Sequence, residues 1–142
     1  MHNKQLTRLA HAVLALAFAA GEVGVALAHD AAGEESVQPV MRQTLPEMPG
    51  KQVTVVTVSY APGQSSKPHV HPGSVFAYVV EGSVVSQLAD EAPKTYTKGQ
   101  GWYEPPQARH LVSRNASTTE PARLVAWLVG GEGQPLKEPL PH

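Results

Sequence analysis

The chain has 142 residues, with 11 Lys and Arg against 12 Asp and Glu, a formal net charge of −1, and no cysteine. This length fits one domain with one modest core, and the lack of any basic run or basic-aromatic cluster leaves nothing to neutralise phosphates, so nucleic acid is excluded as a partner. The missing cysteines exclude disulfides, thiolate metal ligands and Cys nucleophiles.

Residues 1–28 read as a secretory signal. Lys4 and Arg8 supply a positive start, Ala12 to Ala20 an apolar run, and Ala26-Leu27-Ala28 a small-x-small cleavage site. The mature chain is then expected to begin at His29 and to be periplasmic or secreted. Glu22 interrupts the apolar stretch and leaves it short for a bilayer, so no stable membrane anchor is expected after cleavage. Residues 29–50 are polar and contain proline, with no sustained helical or strand period, and are expected to form an N-terminal arm whose latter half lies across the domain.

A domain is expected over residues 51–131. Gln52 to Tyr60 is rich in Val and Thr and runs into Ala61-Pro62-Gly63, a strand entering a turn. Val75 to Val80 is a second apolar strand, and Glu81-Gly82 before Ser83 to Leu88 reads as a tight hairpin. Further short strands follow at Lys94 to Thr97, Gly101 to Glu104, Arg109 to Ser113 and Arg123 to Val129, each closed by Gly, Pro or Asn. Strands at this spacing, with 13 prolines and 12 glycines in the chain, argue for an all-β, antiparallel sandwich or barrel. Residues 132–142 hold too many prolines for a helix and are expected to be an extended tail.

Three histidines stand out in this frame. His69 and His71 are separated by one residue, so on an extended chain both rings point to one side, and His110 must join them from another strand. Neutral imidazole suits Zn, Cu, Fe and Ni, and three such ligands leave positions open for water, dioxygen or a small organic molecule; a divalent transition metal, Fe, Mn, Ni, Cu or Zn, is expected. Glu104 closes a strand six positions before His110, with Trp102 two residues earlier on the same face. It is a candidate fourth ligand or general base; the alternative is an exposed Glu at a strand end. Tyr78, Gln87 and Trp102 are candidate pocket residues, weighed against ordinary packing on strands.

The segment Gly63, His69, His71, Gly82 resembles the first motif of the cupin superfamily, and Gly99, Pro105 and His110 resemble the second. The first motif's Glu is missing, because the positions where it would fall hold Val75 and Phe76. In the second, Gln107 replaces a glycine and Asn115 lies one residue late. The resemblance runs from about Gln52 to Val129. It implies a single-domain double-stranded β-helix, or jelly-roll barrel, with a divalent transition metal on His69, His71 and His110. It also implies a homodimer, for which the strand Gln52 to Tyr60 is one candidate surface.

Three functional readings follow. In the first, the metal activates dioxygen or acts as a Lewis acid on a small oxygenated molecule, by analogy with three-histidine cupin dioxygenases. In the second, the barrel captures a metal or small ligand without turnover. A vestigial site in a structural barrel is a third, argued by the missing Glu.

Overall fold

The computed structural model describes residues 34–140. The expected signal segment and its cleavage site after Ala28 lie outside them. The described residues form ten strands and no helix: β1 (Ser36–Thr44), β2 (Lys51–Tyr60), β3 (His69–Val70), β4 (Ser74–Glu81), β5 (Ser83–Leu88), β6 (Lys94–Thr97), β7 (Gly101–Glu104), β8 (Arg109–Asn115), β9 (Ala122–Gly131) and β10 (Glu138–Pro139). They make two five-stranded sheets, in the orders β1-β2-β9-β4-β7 and β10-β3-β8-β5-β6, with every pairing antiparallel. The fold is the all-β double-stranded β-helix read from the sequence.

Alternation along the strands builds the core. In β4, Val75, Ala77 and Val79 point inward while Phe76 and Tyr78 stay exposed; in β9, Ala122, Leu124, Ala126 and Leu128 do the same from the neighbouring strand. Val79 and Val84 are fully buried, and each such side chain stabilises the fold by about 1.5–3 kcal/mol. Asn115 sits among them as a polar rivet. Its amide donates to the carbonyls of Ala61 (3.1 Å) and Glu120 (2.7 Å), and its oxygen accepts from the Ser117 N–H (2.8 Å).

One sequence expectation is corrected and three others gain detail. Glu81-Gly82 is not a hairpin: β4 and β5 belong to different sheets, and Gly82 (φ +66°) turns the corner between them. The segment predicted as an arm, 29–50, contains β1, which pairs along β2 from Ser36↔Ser59 to Thr44↔Gln52 with an irregularity between Pro39 and Met41. β1 is exposed along its whole length, so no hydrophobic period marks it, and as an edge strand it tolerates Pro39. With β1 on one side and β9 on the other, β2 has no free edge for strand pairing, which bears on one of the two ways, pairing or packing, in which it can serve as a dimer surface. The segment predicted as a tail, 132–142, is docked over its described part: β10 pairs with β3, and Leu136 packs against the core.

Candidate metal centre

β3 and β8 are adjacent, and their register sets His69 directly opposite His110. His71 follows β3 at once, and the single intervening residue returns its ring to the side of His69. The ligating nitrogens of His69, His71 and His110 lie within 4.8 Å of one another, with His69 and His110 buried and His71 partly so. The three rings stand 4.7 to 6.5 Å apart, centre to centre.

Backbone carbonyls fix how two of the rings present themselves. His69 Nδ1 lies 2.6 Å from the Lys67 carbonyl and His71 Nδ1 lies 2.6 Å from the Leu136 carbonyl. A carbonyl only accepts, so each Nδ1 donates and each Nε2 carries a free lone pair. Those two Nε2 atoms face each other at 3.0 Å. This is the separation of two nitrogens that meet at about a right angle on an ion bound at ~2.0–2.1 Å. His110 Nε2 is engaged by the Ser86 hydroxyl at 2.9 Å.

Glu104 comes from the opposite sheet. β7 pairs with β4 so that Glu104 lies across from Val75, a position where the cupin motif would carry its Glu. A carboxylate from the neighbouring strand thus stands across from the position left without one on β4. Glu104 is 2% exposed; its Oε1 accepts from the Trp102 indole N–H at 2.8 Å, and its Oε2 lies 3.1 Å from His110 Nδ1 and 3.7 Å from His71 Nε2. Glu104 Oε2 and His110 Nδ1 are buried without a hydrogen-bond partner among the described residues, being close to each other but off the line of a hydrogen bond. A carboxylate oxygen and an imidazole nitrogen 3.1 Å apart, buried beside two further imidazole lone pairs, call for a shared proton or a cation among them. The residues present therefore fit a divalent metal held by three histidines, with a carboxylate oxygen alongside.

Electrostatics agree. Burial pushes the His69 pKa down to about 4, outweighing its bond to the Lys67 carbonyl, and burial also lowers that of His71, so both rings are neutral at pH 7. Burial alone would raise the Glu104 carboxyl, but the adjoining His110 and His71 rings and the Trp102 N–H outweigh it and hold it below the usual carboxylate value.

The site opens on a cavity of about 210 Å³ between the sheets, walled by Val56, Val58, Val75, Leu124 and Leu128. Trp102 lines it; Tyr78 and Gln87 do not. Tyr78 is flanked by inward-facing Ala77 and Val79 and so lies on the outer face, 44% exposed. Gln87 follows inward-facing Ser86 and bonds the Glu91 carbonyl instead. Sequence reasoning missed Ser86, Leu136 and Glu35. The alternation that places Gln87 outside was the available signal for Ser86; for the other two, contributed from distant ends of the described chain, there was none.

Residues 56–128, just over half of the chain, match the family model of the cupin domain. Among solved structures, the chain is similar to a protein from Thermus thermophilus at 30% identity, covering 67% of this chain and 83% of that one, with a TM-score of 0.54. A protein with a double-stranded β-helix domain from Klebsiella pneumoniae matches at 23% identity over 75% of this chain and 86% of its own, TM-score 0.59. A DMSP lyase from Ruegeria pomeroyi matches at 17% identity over 82% of this chain and 56% of its own, TM-score 0.60. No curated protein matches.

Proposed function

The chain belongs to the cupin domain family, and we propose that it is an exported metal-binding cupin that presents a divalent transition metal to a small oxygenated organic molecule. The observation that carries this reading is the meeting of three imidazoles and one buried, unpartnered carboxylate oxygen at the wall of an apolar cavity. His69, His71 and His110 hold the metal. Iron, nickel, copper and zinc suit the three imidazoles, and the carboxylate alongside admits manganese.

Glu104 acts as the fourth holding group in preference to a base. Its Oε1 is tied to Trp102 and its Oε2 points at the rings of His71 and His110, toward the place a metal held by them would take. Lys67 and Leu136 fix the ring orientations through their carbonyls, and Ser86 steadies His110. Such outer partners typically contribute ten- to a hundredfold in metal affinity. When bound, the metal supplies Lewis acidity toward an oxygen atom of the ligand, or a centre for dioxygen. The cavity walls exclude water and strengthen every charge interaction made inside.

Two uses of such a site differ in one observable. In a dioxygenase-like or Lewis-acid enzyme the bound organic molecule is turned over; in a binding module it is released unchanged. The likeness in fold to a DMSP lyase supports the enzyme reading only as analogy. Export rests on the order of charged, apolar and small residues in 1–28, and mass measurement of the secreted chain is expected to give a start at His29.

The metal reading is tested by titrating the chelator-treated chain with cobalt(II). One equivalent is expected to bind and develop a visible ligand-field spectrum, with the spectrum lost in His71→Ala. A featureless titration in the wild type would remove the reading. Oxygen-uptake and product assays on small diketones and phenols with the reconstituted protein then separate turnover from capture.

A further inference from the structure

The cavity has a second polar group of residues that the metal centre does not use. Glu35, just before β1, lines it with a side chain only 4% exposed. One of its oxygens, Oε1, pairs with Lys137 Nζ at 2.7 Å, while Oε2 is buried without a partner among the described residues. Also lining the cavity are Tyr60, Ser66 and Ser113, all buried, with the Tyr60 hydroxyl 2.7 Å from Ser66 Oγ and 2.8 Å from Ser113 Oγ. Each of these contacts uses one hydroxyl hydrogen, and the trio has one per residue. One O–H is therefore left over to donate elsewhere. Burial, with the Glu35 charge contributing, pushes the Tyr60 hydroxyl up to about 12, so the trio keeps its hydrogens at neutral pH.

A spare acceptor and a spare donor in one apolar cavity fit a group that both donates and accepts. We propose that Glu35 and the Tyr60–Ser66–Ser113 trio form a second anchoring point, and that it takes a neutral hydroxyl on a small, otherwise apolar ligand. The hydroxyl donates to Glu35 Oε2 and accepts from the trio. A cationic group is disfavoured at this point because Lys137 already neutralises Glu35 and would repel a second ammonium beside it. An anionic group is disfavoured by the carboxylate itself. This inference rests on the reading of the cavity as a ligand site, but not on the metal.

Three probes of similar shape test it: benzyl alcohol, toluene and benzylamine, titrated calorimetrically into the purified chain. Benzyl alcohol is expected to bind about tenfold or more tighter than toluene, the range for a hydrogen bond to a charged acceptor, and benzylamine more weakly than benzyl alcohol. In Glu35→Leu the preference for the alcohol over toluene is expected to fall to near parity. Glu35→Gln, which keeps the side chain's shape, is expected to retain about a threefold preference, since the hydrogen bond then goes to a neutral acceptor. Equal binding of alcohol and toluene in the wild type, no binding of any probe at millimolar concentration, or an undiminished preference in Glu35→Leu would overturn the proposal. His71→Ala keeps the two readings apart: it is expected to lose metal and keep the preference. A wild type without metal whose alcohol preference still depends on Glu35 removes the metal reading and leaves this one standing.

Discussion

Glu104 shows what a single residue can reveal and conceal. Its spacing from Trp102 placed both on one strand face in the sequence, and the structure brings them into the same cavity. That it lies opposite Val75 depends on the pairing of β4 with β7, which no local pattern states. Glu104→Gln keeps an acceptor for the Trp102 N–H but removes the charge beside His71 and His110; the folded protein is expected to bind cobalt(II) at least about tenfold more weakly by competition against a chelator. His69 has its own pH signature. With its folded pKa about 4 and its unfolded value near 6.5, the unfolded state takes up protons first as pH falls. The metal-free chain is therefore expected to hold constant stability above pH ~6.5 and lose up to about 3 kcal/mol between there and pH ~4. Urea melts across that window check this, and stability that rose on acidification would contradict the assignment. Gln107 is the third instructive residue. It stands where the cupin motif has glycine and still adopts φ +63°, with its N–H bonded to the His71 carbonyl at 2.8 Å. Gln107→Gly is expected to stabilise the chain by about 0.5–1 kcal/mol in urea melts by relieving this left-handed strain.

At the scale of elements, alternation made most strands readable, because one face of each is buried and the other is not. β1 escaped because both its faces are exposed, and the passage from β4 to β5 escaped because Glu-Gly serves a corner between sheets as well as a hairpin. Two glycines distinguish these demands. Gly63 and Gly82 both have positive φ (75° and 66°), but a Cβ on Gly63 meets nothing within 4 Å, whereas one on Gly82 would lie 2.4 Å from the Pro121 carbonyl oxygen. Gly63→Ala is expected to cost about 1–2 kcal/mol from φ alone. Gly82→Ala is expected to cost clearly more, since β9 must move as well. Thermal melts of the pair read the difference, and equal costs would mean that the corner yields to a methyl group without moving β9.

For the whole molecule, the site is an assembly of both sheets and of segments far apart in the chain. β3 and β8 bring the histidines, β7 brings Glu104 from the other sheet, Leu136 orients His71, and Glu35 pairs with Lys137 beside the same cavity. The histidines were legible because motif spacing survives in sequence. The outer supports were not, because only the closed barrel brings them near. A metal that binds the folded chain and not the unfolded one stabilises the fold by mass action, by about 2.7 kcal/mol when free metal is a hundredfold above Kd. Chelation is therefore expected to lower the melting temperature by roughly 10 °C. The most direct test of the central claim is elemental analysis of the chain purified without added metal or chelator, beside His71→Ala. A near-stoichiometric transition metal in the wild type and its loss in the folded variant is the expected result. No metal in either, even after reconstitution, would contradict it.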